Sequence, residues 1–298
     1  MKCIQLSDSC FYFQGSVNIG YVKNETCGLL IDSGLDDAAA KKVMKVLKEK
    51  EWPLTDLFIT HAHADHFGGA HFLQKHYEIH TYAPHFEEAI MTYPKLEPLY
   101  LFQGNEPPQE MRNKFLEGKP IRIDTKVKPG KQRLGEFQVE LHAVPGHSYN
   151  MMALEIDSIL YATDAYFDEA TLQKHNIPFI VQYEETVRSL RYLLALKVKG
   201  AVPGHGIYEP NFTETVKNNI EYHQNVKEDL FQWITKQKEP ISFETLISSF
   251  CSKRDINIQN FTSWALFRTG VTAYVQALVS EQKVEYVFQN NTLKVSRR

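Results

Sequence analysis

The sequence has few cysteines and no CxxC pair, which argues against a thiolate zinc site and a thioredoxin-type redox motif. Its four cysteines, Cys3, Cys10, Cys27 and Cys251, are widely spaced, and reduced, mostly packed thiols are their expected state. No apolar stretch approaches the ~20 residues needed to cross a bilayer. The N-terminus, MKCIQLSDSC, also lacks the apolar run of a secretory signal. We therefore expect a cytoplasmic protein with no membrane partner.

The sequence also lacks an excess of charge of either sign. It has 33 Lys and Arg against 36 Asp and Glu, so the formal net charge is −3. This balance predicts no strong non-specific attraction to nucleic acid or to an anionic membrane. The hydrophobic fraction, 43%, is enough for a packed core, and 298 residues exceed the usual size of one domain.

Periodicity in the first two thirds of the chain predicts strands and helices in mixed order. Short strands are predicted within 11–34, a helix follows from Asp36 to Lys50, and a strand over 54–60 leads directly into His61. Strand-like and helix-like segments continue to about residue 210, including a strand-like alternation at 121–123. This pattern indicates an α/β fold with two sheets between helical layers.

Two regions depart from this pattern. Residues 85–118 contain four prolines and several aromatic residues, and they are expected to form either a helical surface insertion or a lid over the active site. Residues 211–298 predict three helices followed by a hairpin, an order that resembles a winged helix. We therefore expect a catalytic domain over 1–210, containing the insertion, and a mainly helical C-terminal region over 211–298.

The strongest chemical signal is the run 60–69, THAHADHFGG, which directly follows a predicted strand. It places four potential metal ligands, His61, His63, Asp65 and His66, within six residues. Imidazole nitrogen and carboxylate oxygen suit zinc, and also iron or manganese. A solvated histidine-rich loop is the alternative, but this density of ligands favours a metal site because imidazole is the commonest metal ligand.

Three further candidate ligands stand in matching positions. His147, Asp164 and His205 each follow an apolar run that predicts a strand, and both histidines close a Pro-Gly-His triplet. Glycine beside a ligand allows a close approach of the backbone. We therefore expect four loops at one edge of a layered sheet to bring these side chains together.

Taken together, the HxHxDH run, the later PGH triplet, the strand-ending aspartate and the last GH pair resemble the metallo-β-lactamase superfamily. Asp32, in the sequence LIDSG, matches an early aspartate common in that family. The resemblance covers roughly residues 10–210, and the run at 60–69 is most similar to the glyoxalase II-like branch. It implies the αββα four-layer sandwich.

The resemblance also implies a role for each candidate residue. Seven ligands would hold two divalent ions, with zinc expected and iron or manganese as alternatives: His61, His63 and His147 for the first ion, Asp65, His66 and His205 for the second, and Asp164 bridging both. Asp32 would orient these ligands by hydrogen bonding. A hydroxide shared by ions about 3.5–4 Å apart would be the nucleophile, with Asp164 and Asp65 acting in catalysis.

Some positions depart from branches of the superfamily. His147 is followed by Ser148-Tyr149-Asn150-Met151 instead of a small residue and a glycine, which affects the expected shape of the pocket. Lactonases that open acyl-homoserine lactones carry a tyrosine three residues after the bridging aspartate. That position is Phe167 here, with Tyr166 one residue earlier, so a close match to this lactonase group is not expected.

The leading functional hypothesis is hydrolysis of a small ester, thioester or lactone, because the aromatic insertion favours an acyl-bearing substrate. The alternatives are a metal-dependent phosphodiesterase or ribonuclease, a single-iron sulfur dioxygenase, and a non-catalytic module with a retired site. Residues 211–298 carry 11 Lys and Arg against 9 Asp and Glu, an excess of only 2, so nucleic acid is not the expected partner. The C-terminal region is expected either to cover the domain edge or to build a homodimer.

Overall fold

The protein is described by a computed structural model that covers residues 1–298. Fifteen strands are present: β1 Lys2–Gln5, β2 Cys10–Gln14, β3 Ile19–Lys23, β4 Gly28–Ile31, β5 Asp56–Phe58, β6 His80–Pro84, β7 Thr125–Val127, β8 Gly130–Leu134, β9 Phe137–Ala143, β10 Met152–Ile156, β11 Ile159–Thr163, β12 Gly200–Pro203, β13 Ile241–Ser242, β14 Val284–Gln289 and β15 Thr292–Arg297. Ten α-helices accompany them: α1 Asp37–Glu49, α2 Ala64–Phe67, α3 Ala70–His76, α4 Glu87–Thr92, α5 Leu96–Leu101, α6 Glu169–His175, α7 Tyr183–Leu193, α8 Thr213–Thr235, α9 Phe243–Lys253 and α10 Phe261–Ser280. A short 3-10 helix spans Gln109–Met111.

The strands form three sheets. Strands β1 to β7 make a seven-stranded sheet in chain order, and a five-stranded sheet has the order β12-β11-β10-β9-β8. The third sheet, β13-β15-β14, belongs to the C-terminal region. No helix is both long enough and apolar enough to cross a membrane.

The two large sheets pack face to face, and helices cover both outer surfaces. Along β2, Phe11 and Phe13 pack in one cluster with α1, whereas Cys10 and Tyr12 pack in another with strands of the five-stranded sheet. This division follows from the two-residue period of a strand, which sends successive side chains to opposite faces. A further apolar cluster joins the five-stranded sheet to α7 and the start of α8. The αββα sandwich expected from the resemblance is confirmed.

Close contact between the sheets depends on Gly20 in β3. A Cβ atom at this position would lie 2.5 Å from the ring of Tyr161 in β11. The Tyr161 hydroxyl in turn donates to the carbonyl of Phe11, 2.9 Å away. A residue without a side chain is therefore needed where β3 packs against the ring of Tyr161.

One predicted strand is absent. Residues 121–123 alternate as a strand would, but no strand forms there. The Gln74 side chain instead forms two hydrogen bonds with the backbone of Arg122. It donates to the Arg122 carbonyl at 2.7 Å and accepts from the Arg122 amide at 2.9 Å. Because a side chain meets these backbone groups, residue 122 has no need of a neighbouring strand.

The C-terminal region packs tightly against the preceding helix. Ile180, just before α7, and Val187, within α7, belong to one apolar cluster. The cluster also contains Val226 and Leu230 of α8 and Tyr274 of α10. The order β13-α9-α10-β14-β15 matches the helices and hairpin expected from the sequence. The division into two domains at residue 210 stays a prediction, since the core is shared across it.

Candidate metal centre

The seven predicted ligands lie at one edge of the sandwich because of the direction of their strands. Strands β9, β11 and β12 run the same way through the five-stranded sheet, since β10 is antiparallel to both of its neighbours and β12 is parallel to β11. His147, Asp164 and His205 follow these three strands, and the run that begins at His61 follows β5 of the other sheet. Ligand-bearing loops from both sheets therefore meet at one place.

The ligand atoms form three overlapping groups, within each of which all atoms lie within 4.8 Å of one another: His61, His63 and His147; His61, His66 and Asp164; and Asp65, His66 and His205. Asp164 lies between the first and third groups. Its Oδ1 is 3.3 Å from Nε2 of His66, and its Oδ2 is 3.3 Å from Nε2 of His147 and 3.5 Å from Nε2 of His205. The structure thus brings all seven candidate ligands together, with Asp164 in the central position.

The outward-facing ring nitrogens of four histidines are each held by an oxygen atom. These pairs join Nδ1 of His61 to Oγ1 of Thr60 at 3.0 Å, Nδ1 of His66 to Oδ2 of Asp32 at 2.8 Å, Nδ1 of His147 to the carbonyl of Phe179 at 3.0 Å, and Nδ1 of His205 to the carbonyl of Ser16 at 2.7 Å. A hydrogen bond at one ring nitrogen fixes the ring orientation and leaves the other nitrogen free to ligate. The four Nε2 atoms are therefore directed to the centre.

Asp32 lies where the resemblance places an orienting residue. Its Oδ1 accepts from the backbone amide of Thr60 at 2.8 Å, and its Oδ2 accepts from the Thr60 hydroxyl at 3.0 Å as well as from His66. Asp32 has a φ of 64° and Thr163, next to Asp164, a φ of 49°. Non-glycine residues with positive φ often mark functional sites, because the surrounding structure must hold them in a strained conformation.

Three buried polar atoms at the centre make no hydrogen bond: Nε2 of His66, Nε2 of His147 and Oδ1 of Asp164. Unpartnered polar atoms are rare in protein interiors and each costs free energy. Imidazole nitrogen together with carboxylate oxygen is the donor set that zinc, iron and manganese accept. The residues present therefore fit a divalent metal centre.

The electrostatics differ between the two sides of the centre. Burial and the neighbouring imidazoles lower the pKa of His63 to about 4 and that of His147 to about 3, so both rings are neutral at neutral pH. Burial also lowers the pKa of His66, but the carboxylates of Asp164 and Asp32 outweigh this and raise it. A cation that binds at His63 and His147 therefore finds neutral ligands, whereas a cation that binds at His66 must displace a proton.

Glu87, the first residue of α4, accepts hydrogen bonds from two of the loops that carry candidate ligands. Its Oε2 accepts from the amide of Ala62 at 3.0 Å, between His61 and His63. Its Oε1 accepts from the Ser148 hydroxyl and the Asn150 amide, both at 2.8 Å, just after His147. The Glu87 side chain is buried, and burial raises its pKa despite these three hydrogen bonds. The sequence analysis did not identify Glu87.

A cavity of about 430 Å³ opens above the candidate ligands. Its walls come from the insertion, from α6 with the segment that follows it, and from α10; they are lined by Glu97, Phe115, Leu116, Phe167, Lys174, His175, Pro178, Phe179, Thr262 and Leu266. Half of these residues are apolar, which suits an organic substrate over a bare ion. The insertion over 85–118 thus forms one wall of the cavity.

The sequence analysis identified only some of the other residues that line the cavity. Phe167 lines the cavity, whereas Tyr166 is buried outside it and stacks on Phe212. Lys174, His175 and Glu97 line the cavity without having been singled out as ligands. No sequence signal identified Glu97 or Glu87, because their contacts arise only when the insertion folds over loops that are distant along the chain.

The sequence model of the metallo-beta-lactamase superfamily matches residues 12–205. A hydroxyacylglutathione hydrolase from Rhodopseudomonas palustris strain BisB5 is 26% identical over 153 residues, which are 50% of this chain and 48% of that protein. An atrochrysone carboxyl ACP thioesterase from Aspergillus fumigatus is 24% identical over 197 residues, which are 66% of this chain and 52% of that protein. The chain spans about half the length of the curated relatives it matches.

Solved structures share the fold over nearly the whole chain. A beta-lactamase domain protein from Burkholderia ambifaria has a TM-score of 0.75 at 14% identity, covering 99% of this chain and 93% of that one. A metallo-beta-lactamase family protein from Thermus thermophilus has a TM-score of 0.72 at 17% identity, covering 95% of this chain and 94% of that one. The shared architecture therefore includes the helices that follow residue 210.

Proposed function

The chain belongs to the metallo-β-lactamase superfamily of metal-dependent hydrolases, and from that premise we propose that it hydrolyses a small ester, thioester or lactone with two bound divalent cations. Zinc is the cation that we propose, with iron or manganese as the alternatives. The observation that carries the proposal is the convergence of two ligand triads around Asp164 beneath a partly apolar cavity.

Each triad supplies three ligand atoms, and Asp164 can serve both. We assign His61, His63 and His147 to one cation and Asp65, His66 and His205 to the other. When bound, the cations supply a hydroxide nucleophile at neutral pH and polarise the carbonyl oxygen of the substrate. Two complete triads favour this assignment over a single-iron sulfur dioxygenase, which needs only one.

The remaining steps fall to side chains of the protein. The Asp65 side chain lines the cavity and is one-third exposed, so its carboxylate can take a proton from water and pass it to the leaving oxygen or sulfur. Phe179 positions His147 through its backbone carbonyl, while its ring lines the cavity. The apolar walls exclude bulk water from the acyl group, which strengthens the polar interactions at the reacting carbonyl.

Thioesters are the first substrates to test. The two relatives described above are named for hydrolysis of hydroxyacylglutathione and as a carrier-protein thioesterase. Both names denote enzymes that act on acyl groups, and the cavity has aromatic walls that would accommodate an acyl chain. A thioester also has a good leaving group, so general-acid assistance is less demanding than for an ester.

A nuclease function receives less support. In a winged helix that reads nucleic acid, the helix before the hairpin is exposed to the groove. Here that helix is α10, and among its residues only Phe261, Gln276 and Ser280 are exposed. The helix instead lines the cavity with Thr262 and Leu266. It therefore has no free basic face to present to a nucleic acid.

The proposal is tested by metal analysis of the full chain combined with turnover of matched thioesters, esters, lactones and phosphodiesters. We expect close to two equivalents of metal and turnover of at least one acyl substrate. His61→Ala and Asp164→Ala should abolish turnover while the circular dichroism spectrum is retained. His76→Ala removes an exposed histidine outside the centre and should leave turnover unchanged. Full activity in His61→Ala would refute the proposed chemistry.

A further inference from the structure

The segment 176–182, which joins α6 to α7, lies against both the metal centre and the C-terminal region. Two of its residues, Pro178 and Phe179, line the cavity, and the carbonyl of Phe179 accepts from Nδ1 of His147 at 3.0 Å. This hydrogen bond directs Nε2 of His147 to the centre, so the position of the segment sets the position of one candidate ligand. Whatever holds the segment therefore also holds this ligand.

The end of the segment next to α7 is held by the loop that carries the ligand. The amides of Val181 and Gln182 both donate to the carbonyl of Gly146, at 2.8 Å and 3.2 Å. Because Gly146 directly precedes His147, this end of the segment and the ligand are joined through adjacent backbone groups. The other end, at Asn176, is held by a different part of the protein.

Arg254, the residue directly after α9, binds that other end. Its Nε donates to Oδ1 of Asn176 at 2.9 Å, and its Nη2 donates to the Asn176 carbonyl at 3.2 Å. In return, Nδ2 of Asn176 donates to the carbonyl of Arg254. The third nitrogen, Nη1, donates to Oδ2 of Asp229 in α8 at 2.6 Å. The planar guanidinium group thus joins the segment to α8 and to the end of α9 in one fixed geometry.

The C-terminal region also determines the path of the segment beyond Asn176. This residue has a φ of 62°, a left-handed conformation that asparagine tolerates better than most residues but that still needs support from its surroundings. The hydroxyl of Tyr222 in α8 donates to the same Asn176 carbonyl at 2.9 Å. Behind the middle of the segment lies Gly270 of α10, where a Cβ atom would be 3.2 Å from the carbonyl of Pro178. Contacts from α8, α10 and the end of α9 therefore fix the chain that leads to Phe179.

We propose that Arg254 is a positioning residue for His147 and, through it, for one of the two proposed cations. Its hydrogen bonds to Asn176 keep the Phe179 carbonyl in place, and that carbonyl orients the His147 ring. The consequence for metal binding rests on the metal assignment of the proposed function. In this scheme the C-terminal region supports the metal centre and is not an independent module.

Zinc titration of the full chain against a competing chelator tests the proposal with two variants that each retain one complete triad. His205→Ala removes a ligand of the second triad, so it reports the cation held by His61, His63 and His147, whereas His63→Ala reports the other cation. Added to His205→Ala, Arg254→Ala should weaken zinc binding about tenfold, the lower end of the 10–100-fold range for residues that orient ligands. Added to His63→Ala, the same change should leave zinc affinity unchanged.

Two further variants separate positioning from general stability. Asn176→Gly removes the side chain that meets Arg254, and glycine adopts a positive φ without strain, so this variant should fold and should also weaken zinc binding in His205→Ala. Lys227→Met breaks an ion pair with Glu281 in the same region, with 13% of the Lys227 side chain exposed against 15% for Arg254. It should lower the Tm without changing zinc affinity.

Three outcomes would overturn the proposal. One is an equal loss of zinc affinity in Lys227→Met, which would reduce the role of Arg254 to general stability. Another is an equal loss of affinity for both cations in Arg254→Ala. The third is unchanged affinity for the first cation in both Arg254→Ala and Asn176→Gly.

NMR of the metal-free protein distinguishes this proposal from the proposed function. The Nδ1 proton of His147 faces the Phe179 carbonyl and is buried, so it should give a slowly exchanging imidazole signal that is absent in His147→Gln. Arg254→Ala should lose this signal through faster exchange with water, and Lys227→Met should keep it. If the signal behaves in this way but no zinc binds, the positioning role stands and the proposed function fails. A signal that persists in Arg254→Ala would overturn the positioning role.

Discussion

Replacing Glu87 gives the sharpest test of how the ligand loops are held. In Glu87→Ala, the buried amide of Ala62 and the buried hydroxyl of Ser148 lose their acceptor, as does the amide of Asn150, which is an exposed residue. A buried donor left without an acceptor costs about 1–3 kcal/mol, so two of them cost about 2–6 kcal/mol. For a chain of this size the Tm should fall by about 2–4 °C for each kcal/mol.

Glu87→Gln should have a smaller effect. The carbonyl oxygen of the introduced carboxamide can still accept from Ser148 and Asn150, but its NH2 group then faces the amide of Ala62, donor against donor. One donor is lost, which corresponds to about 1–3 kcal/mol. The loss falls between His61 and His63, so zinc affinity should decrease about 10–100-fold, the range seen when residues that orient ligands are removed.

The assay is differential scanning calorimetry together with zinc titration against a competing chelator. Glu88→Gln is the control, because Glu88 is the next residue and pairs with Lys126 at 2.6 Å instead of with a ligand loop. This control should keep the zinc affinity of the wild type. Wild-type zinc affinity in both Glu87 variants would refute the reasoning, since the two loops would then be held without the carboxylate.

Three further predictions concern residues around the centre. A Cβ atom at Gly204 would overlap Oδ1 of Asp164, so Gly204→Ala should displace the carboxylate and lower zinc affinity at least tenfold in the chelator assay. Unchanged affinity would contradict the proposal that Asp164 is a metal ligand. Asp32→Asn should weaken zinc binding about 10–100-fold through loss of the acceptor for His66, with the circular dichroism spectrum retained, and tight binding would remove Asp32 from its orienting role. Burial lowers the pKa of His223 to about 4. The stability that the neutral ring contributes is therefore fully present above the ordinary pKa of about 6.5 and is lost as the pH falls toward 4, because the unfolded chain then binds a proton that the folded protein does not. Between pH 7 and pH 5 the loss is about 2 kcal/mol, and the drop in Tm over that range should be smaller in His223→Gln than in the wild type.

The sequence alone was enough to predict the fold class and the candidate ligands, because both are expressed locally. Alternating and continuous apolar runs mark strands within a few residues, and ligand types such as the histidines at 61, 63 and 66 are visible in one short run. Strand ends gave the remaining candidates, since His147, Asp164 and His205 each follow a strand. The last of the three helices expected after residue 210 is α10, which spans Phe261–Ser280.

Only the tertiary structure decided what surrounds the ligands. Glu87 contacts loops 25 and 61 residues away along the chain, and Glu97 meets an apolar wall that includes Leu266 of α10. No strand forms at 121–123 for the same reason, because the side chain of Gln74 in α3 hydrogen-bonds to the backbone of Arg122 from a distant part of the chain. Contacts of this kind depend on which surfaces meet after the sheets and helices pack, and periodicity along one segment carries no information about them.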